Sequence, residues 1–189
     1  LKKRNFLLFT FIGRLLVHKG LLEFLSSAEQ VLKMNKKKKI FFNIIGNFDK
    51  ANVSSINENL ILKYNKNKRI NFLGYKENVN TFISKSDCIV LPSYREGLPR
   101  ILLESLLLER PAIATDVPGC NRIIKNNFNG ILCKSRDINS LVEAINKFIT
   151  FSINKRQRLA INGRKFVEKE FDEKKVINKY LKLICHDKY

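Results

Sequence analysis

The sequence is short of the residues that announce metal or disulfide chemistry. Its four cysteines (Cys88, Cys120, Cys133 and Cys185) show no CxxC spacing, and it has only two histidines, His18 and His186. A zinc site is therefore not expected. Cys88 and Cys133 fall in apolar runs and read as buried thiols, which fits a reduced, cytosolic setting. No apolar run approaches the roughly 20 residues needed to span a bilayer; the stretch 6–12 is only strand-length. Lys2, Lys3 and Arg4 precede it, but no small-residue cleavage site follows before Arg14, so no signal peptide is expected. Internal repeats and low-complexity linkers are also lacking. The 189 residues, 44% of them hydrophobic, are therefore expected to form one globular domain over 1–189. The first residue is Leu1 rather than Met, which suggests a segment of a longer polypeptide.

Acid is the other scarcity. Asp and Glu number 17 against 36 Lys and Arg, a net charge of +19. Such an excess admits a polyanionic partner, either nucleic acid or the anionic inner leaflet of a membrane. It equally admits a lysine-rich compositional habit, with charge solvated in loops and at helix ends as in Lys36–Lys39 and Lys63–Lys68. The compositional reading is preferred to a nucleic-acid partner. Peripheral contact with an anionic membrane stays open.

What the sequence does have is alternation. Apolar runs at 6–12, 40–45, 70–72, 88–91, 112–115 and 130–132 read as strands. Amphipathic stretches near 20–34, 53–65, 77–85, 99–109, 119–126 and 137–150 lie between and after them. The pattern predicts an α/β fold, a Rossmann-like doubly wound parallel sheet with helices on both faces. The run Ile40–Ile45 has almost no polar residue, as a strand covered on both sides requires. Beyond Lys155 only helical patterns remain (155–169 and 172–184), read as C-terminal capping helices within 155–189.

Two segments carry chemistry. In Gly13–Gly20, Gly13 is read as the residue that lets the chain turn after the first strand. Arg14 and Lys19 then flank a helix N-terminus, whose free N–H groups favour an anion. A guanidinium fork and a compact ammonium suit a diphosphate, although the spacing is neither a P-loop nor a GxGxxG. A solvated basic loop is the competing reading. In Glu96-Gly97-Leu98-Pro99-Arg100 to Glu104, Pro99 is expected to open a helix, with Glu104 about a turn and a half in. The two carboxylates read either as a hydrolytic acid/base pair or as acceptors for sugar and ribose hydroxyls. A capping Glu beside an exposed Glu is the plainer alternative.

Taken together and in order, these stretches resemble the nucleotide-sugar-binding half of retaining glycosyltransferases of the GT-B type, family 4. The resemblance runs through Gly13-Arg14-(x4)-Lys19-Gly20, Ile44–Asn47, Ile70–Tyr75, Ser86–Ser93, Glu96–Arg100 with Glu104, and Arg110–Gly119. It covers nearly the whole chain. It implies a C-terminal donor-binding domain whose N-terminal acceptor domain is absent here. The implied reaction transfers a glycosyl group, with retention, from a nucleotide-sugar to a glycan or lipid-linked acceptor. The wording Glu-Gly-Leu-Pro-Arg and Asp-Val-Pro-Gly-Cys leans toward bacterial enzymes of envelope or capsular glycans and toward a UDP-sugar donor.

By the same resemblance, Arg14 and Lys19 hold the diphosphate and stabilise the leaving group, so neither metal nor cofactor is expected. Gly13 lets its backbone approach the phosphates, Glu96 contacts the transferred sugar, and Glu104 contacts the ribose. N–H groups of Gly97, Leu98 and Arg100 face sugar or phosphates, while Gly74 and Tyr75 lie beside the base. Pro99 departs from relatives that carry Gly there, and removes one backbone donor. His18 is read as solvated and Cys120 as a small packing residue. The protein is expected in the cytoplasm or at the inner face of the cytoplasmic membrane, with no nucleic-acid partner. The competing functions are a GT-B-type nucleotide-sugar 2-epimerase, for which no acid/base set is evident, and a non-catalytic basic module for nucleic acid or anionic membrane.

Overall fold

The computed structural model describes residues 5–49 and 51–172, together with Leu181. Strands β1 (Leu7–Ile12), β2 (Ile40–Ile45), β3 (Ile70–Gly74), β4 (Cys88–Leu91), β5 (Ala112–Thr115) and β6 (Gly130–Cys133) form one sheet. Its order is β3-β2-β1-β4-β5-β6 and every pairing is parallel. The helices are α1 (Leu21–Met34), α2 (Glu58–Asn65), α3 (Val79–Lys85), α4 (Arg100–Leu107), α5 (Cys120–Ile123), α6 (Ile138–Thr150) and α7 (Ile153–Glu170).

Alternation along each strand divides the interior into two cores, because successive side chains leave opposite faces. Phe9 and Phe11 of β1, Phe42 of β2 and Val90 of β4 pack with α1 and α6 on one face. Their rings interlock: Phe9 stacks on Phe42 at 5.4 Å, and Phe148 of α6 meets Phe9 edge-on at 5.6 Å. Ile12, Ile89, Leu91 and Ala114 point the other way and pack with Leu102 and Leu106 of α4, Ile123 of α5 and Val167 of α7. This is the doubly wound, two-faced parallel sheet expected from the alternating pattern.

Several boundaries move for local reasons. Phe6 lies outside β1, and β3 continues through Gly74. The helix expected from 53 starts only at Glu58, because Asn57 takes the cap: its side chain accepts from the Asn59 N–H. The stretch 119–126 holds only the single turn of α5 before the turn around Asn129, whose side-chain oxygen accepts from the Lys125 N–H. α7 starts at Ile153, where Ser152 accepts from the Lys155 N–H. Pro99 stands at the N-cap of α4 rather than inside its first turn. The helix expected over 172–184, with Cys185 and His186, lies outside the described residues. Among the described residues no helix is long and apolar enough to cross a membrane.

The sheet order places the reversal of winding between β1 and β4, where such sheets open a crevice at their carboxyl ends. Here the opening has a visible cause. β1 and β4 pair only through Phe9–Cys88 and Thr10–Ile89, whereas β1 and β2 pair over all six residues of each. The lower half is pinned by the buried Asp87, which accepts from the Leu8 N–H at 2.8 Å, and by Thr10 and Ser86 hydroxyls 2.6 Å apart. Beyond Thr10 and Ile89 the strands share no ladder, and the crevice opens there.

Candidate functional site

The loop after β1 enters the crevice through a tight turn, in which the Leu16 N–H bonds to the Arg14 carbonyl at 2.9 Å. This corrects the reason given for Gly13. Its backbone is not left-handed, and a Cβ there would only touch the Phe11 ring at 3.9 Å. The bend needs no glycine, so the bare backbone of Gly13 leaves space on the crevice side. The left-handed residue is Gly20, at φ +74, where a Cβ would lie 2.0 Å from the Pro92 carbonyl oxygen at the end of β4. The N-terminus of α1 therefore seats directly on β4, fastened by the Tyr94 N–H bonding to the His18 carbonyl at 2.9 Å.

That seat brings together two residues separated by 77 positions in sequence. Lys19 Nζ lies 2.6 Å from Glu96 Oε1, and the side chains are only 20% and 11% exposed. Glu96 is held from behind by Gly119, at which a Cβ would stand 2.4 Å from both the Glu96 and Gly97 carbonyl oxygens. Beneath, the Thr115 hydroxyl donates to the Ser93 carbonyl. The N–H groups of Gly97, Leu98 and Arg100 make no hydrogen bond among the described residues. They leave a row of donors beside the carboxylate at the start of α4.

On the other side of the crevice, Gly13 and Arg14 line a cavity of about 390 Å³, with Ile12, Ile45–Asp49, Tyr75, Lys76 and Val79. Its walls are mainly apolar, and Tyr75 is 61% exposed at its mouth. Gly74 closes β3 beside it and accepts the Gly46 N–H at 3.1 Å. Arg14 is paired with Asp49 at 3.4 Å. Glu104 lies one turn into α4, half-exposed and 3.7 Å from Arg100, on the side of the helix away from the Leu102/Leu106 core. Thus Gly13, Arg14, Gly74 and Tyr75 share the cavity region, and Lys19, Glu96, Gly97 and Leu98 share the crevice. Arg100 and Glu104 pair with each other at the start of α4.

The field of the site is positive. His18, half-buried rather than fully solvated, has its pKa pushed below 6.5 by burial and then by Lys19, Arg95 and Arg14. Two consequences follow. The imidazole is neutral at pH 7, and an anion entering the crevice must offset those cations and raise the His18 pKa. A His18 proton resonance titrating below 6.5 in the free protein and shifting upward on addition of UDP is the expected result by NMR, with His18→Gln fixing the assignment. Cys120 is buried against Glu96, and burial followed by that carboxylate lifts its thiol to about 12. It is a protonated packing group, not a nucleophile.

Sequence reasoning missed three features. Asp49 was unread because it lies two residues beyond the Ile44–Asn47 stretch, and only the fold sets it against Arg14. A strut, Tyr94 donating to Glu23 at 2.6 Å with Arg136 stacked 4.6 Å over the ring, ties α1 to the β4 loop. The roles of Gly20 and Gly119 were also unread; two glycines at loop ends are the one signal that pointed to them. Asp49→Asn frees Arg14 from an exposed pair worth less than about 1 kcal/mol, so UDP affinity is expected to rise by up to about fivefold in a calorimetric titration.

A Rossmann-like, doubly wound domain, with Lys19 and Glu96 meeting in its crevice and Arg14 lining the cavity beside it, is what the fold and site define. Residues 1–166 match the family described as glycosyl transferases group 1, and the chain belongs to that family. It is 33% identical over 143 residues, 76% of its length and 36% of the relative's, to UDP-Gal:alpha-D-GlcNAc-diphosphoundecaprenol alpha-1,3-galactosyltransferase of Escherichia coli. It is 29% identical over 175 residues, 91% of its length and 43% of the relative's, to N,N'-diacetylbacillosaminyl-diphospho-undecaprenol alpha-1,3-N-acetylgalactosaminyltransferase of Campylobacter jejuni. The chain thus spans about two fifths of the length of these two relatives.

Among solved structures, the Anabaena protein HepE in complex with UDP and glucose shares the fold with a TM-score of 0.83 at 18% identity. The match covers 96% of this chain and 49% of that one. The C-terminal domain of a glycosyl transferase group 1 family protein, LpcC from Francisella tularensis, matches with a TM-score of 0.73 at 22% identity. There the coverage is 88% of this chain and 87% of that domain. The family and GT-B-type fold expected from the motifs are borne out.

Proposed function

We propose that this chain is the donor-binding half of a retaining glycosyltransferase that takes its sugar from a UDP-sugar and delivers it to a lipid-linked or other envelope glycan in the bacterial cytoplasm. The carrying observation is the crevice between β1 and β4, where Lys19 meets Glu96 and Arg14 lines the cavity on its other side. The diphosphate lies against Arg14, Lys19 and the exposed N–H groups of the α4 turn, and Gly13 offers no side chain to obstruct it. Glu96 then exchanges its Lys19 partner for hydroxyls of the sugar, and Glu104 accepts from the ribose. The base occupies the apolar cavity beside Gly74 and Tyr75.

As the bond from the sugar's anomeric carbon to the phosphate oxygen breaks, negative charge gathers on the departing nucleotide. Two cations placed there before the reaction supply the stabilisation a metal gives elsewhere. The acceptor hydroxyl forms the new bond on the same face and passes its proton to the departing phosphate oxygen. The acceptor-binding half of the enzyme supplies the other wall of the cleft. The UDP-Gal in the name of the Escherichia coli relative and the UDP held by HepE support the donor class, and the undecaprenol-linked sugars named for both relatives support a lipid-linked acceptor.

Calorimetric titration with UDP, UDP-galactose, UDP-N-acetylgalactosamine, ADP and GDP tests the reading. A uridine nucleotide binding at least tenfold more tightly than ADP and GDP is expected. Equal affinity for all three bases would overturn the donor assignment.

A further inference from the structure

The positive charge is not spread evenly over the surface. No acidic residue stands between Glu29 and Asp49 or between Glu58 and Glu77, and these intervals contain the turns that lead into β2 and β3. They carry Lys33, Lys36, Lys37, Lys38 and Lys39, and then Lys63, Lys66, Lys68 and Arg69. In sequence, Lys2, Lys3 and Arg4 directly precede the run into β1. Strands β3, β2 and β1 are neighbours in the sheet, so these turns meet along one amino-terminal edge, the edge opposite the crevice.

The same edge carries an open cavity of about 470 Å³, lined by Asn5, Phe6, Leu7, Lys37–Lys39, Ile40, Ile149, Ile153 and Arg156. No acid lines it. Lys36–Lys39 are exposed and join no ion pair among the described residues. The Arg156 Nε–H is buried without a hydrogen-bond acceptor, while its Nη2 donates to the Ile149 carbonyl at 3.4 Å and the charge of Asp87 acts on the guanidinium. Beside the lysines stand two aliphatic side chains in water, Met34 at 67% and Ile153 at 45% exposure.

We propose that this edge is a docking surface for an anionic bilayer, with lipid phosphates received by Lys37–Lys39 and Arg156 and the surrounding aliphatic side chains entering the headgroup layer. Lysines on long apolar stems beside exposed aliphatic groups are suited to a membrane interface. A nucleic-acid surface calls instead for stacking aromatics interleaved with the cations. The exposed aromatics lie elsewhere, Tyr75 at the carboxyl edge and Phe128 before β6, at the other end of the sheet. Because β1 is about 20 Å long, the surface and the donor crevice are separate and can be tested apart.

The test is sedimentation of the chain with phosphatidylcholine vesicles containing 0–40% phosphatidylglycerol, and a parallel titration with a duplex DNA of matched charge concentration. Binding is expected to appear with phosphatidylglycerol and to weaken as salt rises. Lys37→Glu/Lys38→Glu is expected to lower vesicle affinity at least about tenfold and leave UDP binding unchanged, which also reports an intact fold. Arg122→Glu/Lys134→Glu removes the same charge from the carboxyl edge and is expected to lower it less than about threefold. Equal loss in both double variants, equal binding to uncharged vesicles, or tighter binding to duplex DNA would overturn the proposal.

Discussion

Gly20→Ala is expected to cost about 3 kcal/mol of unfolding free energy and to remove donor binding, although residue 20 touches no ligand in the proposed reading. The residue is left-handed, which alone costs a non-glycine residue about 1–2 kcal/mol. Its Cβ would also sit 2.0 Å from a backbone carbonyl oxygen, that of Pro92, so the relief must come from moving α1 away from β4. A shift of that kind separates Lys19, in the short turn just before Gly20 and α1, from Glu96, on the β4 loop, and those groups depend on a 2.6 Å approach. Urea unfolding and a UDP titration of the same sample check both halves. A variant with wild-type stability and wild-type affinity would show that the seat of α1 on β4 does not organise the site.

Glu96→Gln carries an effect of two signs. The Lys19–Glu96 pair is largely buried, and the carboxylate neutralises the cation while no donor is present. Removing its charge while keeping its shape leaves Lys19 open to a phosphate, so the affinity for UDP alone is expected to rise severalfold. The sugar loses its charged acceptor at the same time, so any advantage of UDP-sugar over UDP is expected to vanish. In the enzyme carrying its acceptor half, transfer is expected to fall roughly a hundredfold. Paired calorimetry with UDP and UDP-sugar, and a transfer assay, measure the three quantities. Equal losses for UDP and UDP-sugar would assign Glu96 to the fold rather than to the sugar.

The sheet was legible in the sequence because its strands are nearly uninterrupted apolar runs: Ile40–Ile45 and Cys88–Leu91 have few other possible states. The helix ends were less so. Asn57 and Ser152 decide them through one side-chain hydrogen bond each, a choice that hydrophobic periodicity does not record. For the site, Arg14, Lys19 and Glu96 were readable because each follows a strand at the carboxyl end, where loops converge whatever their sequence. Their pairings were not. Lys19 with Glu96 and Arg14 with Asp49 are separated by 77 and 35 residues, and only the strand order sets them face to face. Gly13 was read for a turn that the Arg14–Leu16 bond makes instead, while the glycines under real constraint, Gly20 and Gly119, hold loops against each other. The charge excess was read as dispersed because sequence separation hides that the turns entering β2 and β3 are neighbours.

The central claim is that two cations at the β1–β4 crevice hold the donor's diphosphate. Isothermal titration of UDP into the wild-type chain and into Arg14→Ala/Lys19→Ala tests it most directly. Two charge-assisted contacts to phosphate, each worth about 1.5–3 kcal/mol, predict a loss of at least a hundredfold in the double variant, with thermal unfolding little changed. UDP bound by the double variant as tightly as by the wild type would contradict the account.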